Sequence, residues 1–373
     1  MEKIKKKKGN KGSIDYIVFF SVMILIVIGI VMVYSASSYY SLYYNNDSTV
    51  FLKKELFAVA AGTIALLFFM NFDYHKLKRY TAPLMLTLIP LLLIVRLFPD
   101  TNGAHRWIKL GPLSFQPSEL AKYAVVMFLA MSLSARGEAI KNFWSGVIIY
   151  LAIAGLYAGI IVVWQSNLSI GAIIMMVTVV MLFVAGAKIK HLMGIGAALV
   201  GAVAAAIILE PYRMARFTNF TNPWKDAAGD GYQLIQSLYA FGSGGLTGLG
   251  LGQSRQKTLY MPEPHTDFIF SIIGEEIGLI GCLGIMLVFA ILIWKGVTVA
   301  LTAKDTYGSF LAMGIISIIA LQVIVNIAVV TGSMPVTGVP LPFISYGGTS
   351  LSITMAAMGI LLNISRQRSR KRI

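Results

Sequence analysis

The sequence predicts an all-α polytopic membrane protein of about ten transmembrane helices, with a large extracytoplasmic loop that contains short helices. Three observations predict it. Of 373 residues, 57% are hydrophobic and 13% charged, against roughly a quarter charged in an ordinary soluble domain. The apolar residues come in runs of about twenty, the length that crosses about 30 Å of hydrocarbon. The cations collect in the tails and in the short turns between runs.

In chain order the runs predict spans at 16–37, 55–72, 80–98, 118–134, 143–163, 170–186, 190–209, 267–294, 307–330 and 348–364. The first follows Lys5-Lys6-Lys7-Lys8 and precedes Ser35-Ala36-Ser37, as a signal peptide would. Its apolar stretch exceeds the usual 7–15 or so residues, so it reads as a retained span. An even number of spans puts both termini on one side. Twenty Lys and Arg fall on that side, ten on the other, and Lys122 lies within a span. Most of the ten lie in longer loops, where the positive-inside rule is weak, so both termini are expected in the cytoplasm. The chain then divides into a basic arm (1–15), a membrane domain (16–364, with the outer loop 210–266) and a basic tail (365–373). The clusters Lys3 to Lys11 and Arg366 to Arg372 read as topology determinants that touch anionic lipid. Nucleic acid is not an expected partner, because the cations share no single folded face.

Composition excludes other chemistry. The single Cys282 allows no intramolecular disulfide and no cysteine metal cluster. His75, His105, His191 and His265 are too scattered for a zinc motif. A hard cation such as magnesium, held by a carboxylate and a substrate phosphate, stays open. The Gly-rich stretch 242–252 follows no strand and lacks a closing Gly-Lys-Ser/Thr, so it is not a nucleotide loop. Tight turns in a re-entrant segment explain its glycines.

The outward segments 99–117, 210–266 and 331–347 are long and rich in Gly, Pro and aromatics, which locates function there. Asp267 stands where the outer loop enters span eight. It reads either as an acid favoured at a helix N-terminus, with Thr266 or Asp267 capping, or as a general base in a partly desolvated cleft. Glu275 and Glu276 lie roughly 12–14 Å deeper at 1.5 Å per residue. Acids at that depth are functional candidates by default, with hydrogen bonding to a neighbouring helix as the alternative. In Gln116-Pro117-Ser118-Glu119-Leu120-Ala121-Lys122, Glu119 and Lys122 share a helix face, either paired or lining a cavity where Lys122 meets an anionic head group. Trp107 suits the membrane interface. Arg106 offers a planar fork for phosphate, and Arg213 and Arg216 repeat that logic. Segment 335–350 carries no charge. Its non-helical backbone survives in the bilayer only if buried or lining a cavity, to which Ser345 and Thr349 would bring hydroxyls, unless they cap span ten.

Together, Arg106-Trp107-Ile108, Gln116-Pro117-Ser118-Glu119-Leu120, Pro264-His265-Thr266-Asp267-Phe268-Ile269-Phe270 with Gly274-Glu275-Glu276, and Pro342-Phe343-Ile344-Ser345-Tyr346-Gly347-Gly348 resemble the shape, elongation, division and sporulation family of bacterial membrane proteins, FtsW, RodA and SpoVE. The likeness runs in order from about residue 15 to 365. Asn222-Pro223-Trp224-Lys225-Asp226 and Ser254-Arg255-Gln256-Lys257 look more like the division and sporulation branch. The resemblance implies a glycosyltransferase in the bacterial cytoplasmic membrane that polymerises lipid II, the undecaprenyl-pyrophosphate disaccharide-pentapeptide, on the outer face. It also implies a class B penicillin-binding transpeptidase partner, further division or sporulation proteins, and a divalent cation, magnesium or manganese. By motif, Asp267 is the expected catalytic carboxylate, with Arg106, Glu119, Lys122, Arg213, Arg216, His265 and Ser345 in or near the substrate cavity. The chain departs from the family at Gln165-Ser166-Asn167-Leu168-Ser169, where Gln-Pro-Asp-Leu-Gly is frequent. A lipid II flippase, using acids inside the bilayer as a path, and a non-catalytic division scaffold are the competing readings.

Overall fold

The computed structural model describes residues 12–99, 105–110, 113–229 and 231–368. Most of the N-terminal arm, the end of the tail, Gly103, Ala104, Gly111 and Pro112 lie outside the described residues.

Every predicted span is a helix. They are α1 (Tyr16–Asn45), α2 (Val50–Asn71), α3 (Leu77–Ile94), α4 (Pro117–Arg136), α5 (Ile148–Trp164), α6 (Leu168–Val184) and α7 (Ile189–Ile208). The short helices α8 (Pro211–Thr221) and α9 (Tyr232–Gly244) follow, then α10 (Ile269–Leu301), α11 (Thr306–Val330) and α12 (Gly348–Arg366). Among the described residues, eight helices are long and apolar enough to cross a membrane. Among the other two predicted spans, α6 has 17 residues, and α2 opens with Lys53, Lys54 and Glu55 near its start. The chain is a polytopic helical membrane protein. The expected short helices of the outer loop are α8 and α9. A small hairpin was not anticipated: Ile108–Leu110 pairs antiparallel with Leu113–Phe115.

Local chemistry sets the ends. Asp15, Asn167 and Asp305 accept hydrogen bonds from the first-turn N–H groups of α1, α6 and α11, donors that a helix leaves unpaired. Pro117 and Pro211 occupy first turns, where a missing N–H costs nothing. Small residues let helices approach: a Cβ at Gly359 would overlap the Leu66 carbonyl, so α12 lies close along α2. The core runs through α4, α11 and α12, whereas in α7 only Ile195 is buried.

The helix α10 is broken. Gly278 adopts φ 68°, ψ −172°. In a continuous helix the N–H groups of Leu279 and Ile280 would bond the carbonyls of Glu275 and Glu276. Instead they donate to Gly245 O (2.9 Å) and Leu246 O (3.1 Å), while Leu249 and Gly250 N–H donate to Glu275 O and Glu276 O, both at 2.9 Å. The Gly-rich segment therefore inserts into the break and satisfies all four groups, the condition for irregular backbone at such depth. Gly248 sits at φ 80°, and a Cβ there would overlap the Glu276 carbonyl.

Candidate functional site

Asp267 lies in the turn before α10 and does not cap it: Phe268 holds the capping position, without a side-chain cap. The Asp267 Oδ1 accepts from Thr266 Oγ1 at 2.8 Å. Its backbone carbonyl accepts from Asn326 Nδ2 of α11 at 2.7 Å, and the same amide donates to Val339 O at 2.8 Å. Residues 335–347 form a strap across this end of the bundle, close enough that a Cβ on Gly338 would stand 3.7 Å from Asp267 Oδ2. Burial pushes the Asp267 carboxyl above the usual aspartate range, partly countered by the Thr266 hydrogen bond and the Arg216 charge.

Arg216 links this carboxylate to a cavity. Its Nη1 donates to Val336 O of the strap at 3.3 Å. It also lines a cavity of about 330 Å³ between α8, α9 and the strap, with Asn219, Phe220, Tyr232 and Gln233. His265 is 2% exposed and packs among Phe51, Tyr346 and Tyr40, with ring centroids at 4.2, 5.4 and 5.6 Å. Burial lowers its pKa to about 4. Its carbonyl accepts from Tyr346 N at 2.9 Å, which ties the acidic turn to the strap a second time.

The Glu119 and Lys122 side chains are buried and meet at 3.0 Å. Ser350 Oγ of α12 donates to Glu119 Oε2 at 2.7 Å, while Lys122 Nζ reaches no hydrogen-bond geometry among the described residues. Ser345 Oγ accepts from Leu341 N at 2.8 Å. It lines a small crevice with Ser350, so Ser345 and the Glu119–Lys122 pair adjoin. Two of the arginines serve helix ends. Arg106 donates to Gln165 O (3.3 Å) and Ser166 O (2.8 Å) after α5. Arg213 donates to Ala206 O (3.1 Å) in α7 and Val162 O (3.4 Å) in α5. In the departing segment Ser166 takes φ 51°, and Ser169 Oγ donates to Thr337 O of the strap at 2.5 Å. Thr349 Oγ1 donates to Ser114 O of the hairpin.

Glu275 and Glu276 have partners. Glu275 accepts from Ser254 Oγ, from the N–H groups of Arg255 (3.1 Å) and Gln256 (3.2 Å), and from Ser243 Oγ (3.3 Å). Glu276 accepts from Ser35 Oγ at 2.7 Å and from Lys257 Nζ at 2.8 Å. Both acids anchor the re-entrant segment. Sequence reading missed Lys257 and Asn326 as site-building residues. The available signal for Asn326 was an amide inside an apolar span; Lys257 stood out only within Ser254-Arg255-Gln256-Lys257, as a mark of the family branch.

Among the described residues no three His, Cys, Asp or Glu side chains gather to hold a metal ion. The single carboxylate of Asp267 fits the remaining case, a magnesium that draws its other ligands from water and a substrate phosphate.

Fold and site together define a polytopic helical membrane protein with a partly desolvated carboxylate under a charge-free strap, at the face that carries its long loops. Residues 15–370 match the family described as cell cycle protein, FtsW/RodA/SpoVE, and the chain belongs to that family. It is 46% identical over 361 residues to stage V sporulation protein E of Bacillus subtilis (strain 168), covering 96% of this chain and 98% of that one. It is 42% identical to a probable peptidoglycan glycosyltransferase FtsW of Geobacter sp. (strain M18), covering 94% and 96%. A solved chain from a peptidoglycan synthase complex that coordinates polymerization and crosslinking superposes with a TM-score of 0.79 at 27% identity, covering 96% and 99%. The rod shape determining protein RodA of Thermus thermophilus gives 0.71 at 28% identity, covering 96% and 98%.

Proposed function

We propose that this chain is a peptidoglycan glycosyltransferase that polymerises lipid II into glycan strands during division or sporulation. The observation that carries the reading is Asp267, a carboxylate raised by burial beside Arg216 and a cavity, in a chain whose relatives include probable peptidoglycan glycosyltransferases. Such a carboxylate is suited to general base work near neutral pH.

Asp267 takes the proton from the 4-hydroxyl of the acceptor N-acetylglucosamine. That oxygen bonds to the anomeric carbon of N-acetylmuramic acid at the end of the growing chain. The bond from that carbon to pyrophosphate breaks on the opposite side, so an α-linked donor gives a β-1,4 linkage and undecaprenyl pyrophosphate leaves. Asn326 and Thr266 fix the position of Asp267, and Arg216 supplies positive charge beside it. A bound divalent cation, with Asp267 as its protein ligand, would neutralise charge on the pyrophosphate. Lys122, buried with unsatisfied donors, is the further cation suited to an anionic head group.

The long-loop face is the outer face in this reading, and both termini are cytoplasmic. A class B penicillin-binding transpeptidase is the proposed partner, consistent with the synthase complex to which the fold is similar. The acids that a flippase path would use, Glu275 and Glu276, are engaged by the re-entrant segment.

The test is polymerisation of lipid II by the purified chain, with a divalent cation and a partner transpeptidase inactive in glycosyl transfer. Polymer on a gel from the native chain, and none from a folded Asp267→Ala variant, is the expected result. No polymer from either, beside a working polymerase, would overturn the reading.

A further inference from the structure

We infer that the cavity between α8, α9 and the strap holds one N-acetylated pyranose ring, the terminal N-acetylglucosamine of the acceptor, with its 4-hydroxyl turned toward Asp267. The inference rests on the glycosyltransferase reading and adds where the sugar sits. At about 330 Å³ the cavity is at the small end of ligand pockets, which run about 300–1,000 Å³. That is room for a ring and not for a whole disaccharide-pentapeptide.

Its chemistry selects a sugar. Phe220 and Tyr232 are aromatic residues of the lining, and Asn219 and Gln233 carry amides that both donate and accept. A pyranose has the matching duality, an apolar C–H face and an edge of hydroxyl and acetamido groups. A lipid chain would leave the amides unpaired, at the desolvation cost of a buried polar group. Gly231 of the lining packs directly on the 223–226 turn, since a Cβ there would overlap the Pro223 carbonyl.

Position supplies the rest. Arg216 lines the cavity and also acts on the Asp267 charge. Val336 lines it two residues before Gly338, which abuts the Asp267 carboxylate. The ring nearest the base is the one whose hydroxyl the base deprotonates, which makes it the acceptor sugar.

Two variants test the site in the full-length protein. Gln233→Ala removes an amide, and Ala228→Trp, at an exposed lining position, fills the space. Initial polymerisation rates against lipid II concentration should show KM raised about fivefold or more in both, with kcat within about twofold, the signature of lost ground-state binding. Saturation-transfer NMR with N,N′-diacetylchitobiose should show contact with the native protein and none with Ala228→Trp. The inference requires both results. Normal polymerisation with unchanged KM, or disaccharide contact undiminished in Ala228→Trp, overturns the subsite and leaves the glycosyltransferase standing. Absence of polymer from the native chain overturns the function itself, and the assignment of the ring as acceptor with it.

Discussion

Asn326 holds Asp267 by the backbone: its Nδ2 donates to the Asp267 carbonyl at 2.7 Å. Because the same amide reaches Val339, one side chain in α11 sets the acidic turn and the strap relative to each other. Asn326→Leu leaves two carbonyls without that donor, at a cost of about 1–3 kcal/mol each where they stay buried. The expected kinetic result is a kcat at least about tenfold lower with KM little changed, since the amide touches the turn and not the ligand. Steady-state polymerisation by a variant that still elutes as a folded monodisperse species checks it, with partial recovery expected in Asn326→Gln.

The Asp267 carboxyl titrates above the ordinary aspartate value because it is buried, and Arg216 holds it down. As a general base it works only when deprotonated. Polymerisation should therefore fall on the acid side at a pH above about 3.9, the reference for aspartate. Arg216→Gln removes the lowering charge, so the acid limb should move to higher pH. A pH–rate profile of the two proteins measures the displacement, and a limb that stays in place would separate Asp267 from the observed titration.

Much of this fold was legible because a bilayer enforces one period and one length. Apolar runs of about twenty residues located the helices, and apolar stretches such as Tyr232 to Phe241 within segment 210–266 pointed to short helices there, of which α9 is one. What the pattern could not carry was pairing between distant segments. Gly278 reads as one more small residue in an apolar span, and only the approach of Gly245 to Gly250 turns it into a break. The acids in the same span drew attention by depth, but their partners Ser254, Arg255 and Lys257 come from a loop about twenty residues earlier. Two of the three arginines offered for phosphate, Arg106 and Arg213, meet carbonyls of helix ends. A guanidinium serves either acceptor, and composition does not choose between them.

His265 supplies a pH dependence of stability separate from catalysis. Its folded pKa is about 4 against 6.5 for the free side chain, so the unfolded chain binds the extra proton first. A depressed folded pKa gives stability that is fully present above pH 6.5 and is lost as pH falls toward 4. At about 1.36 kcal/mol per unit the loss is of order 3 kcal/mol at the acid end. Thermal unfolding in detergent at pH 7 and pH 5 should show a drop in midpoint that shrinks in His265→Phe, which keeps the ring among Phe51, Tyr346 and Tyr40 without a titrating group.

The Lys257–Glu276 pair separates a structural role for the deep acids from a transport role. Both side chains are buried, at 7% and 0% exposure, and Ser35 of α1 bonds the same carboxylate. Removing one partner strands the other charge, which costs about 3–5 kcal/mol in a buried pair, whereas replacing both with apolar residues of similar volume is often neutral. Glu276→Leu and Lys257→Met should each lower the thermal midpoint sharply, and the double variant should recover most of it. Polymerisation should follow the same pattern, because the pair acts on the re-entrant segment and not on the reacting atoms. A double variant that folds as well as the native chain yet makes no polymer would assign the pair a part in the reaction instead.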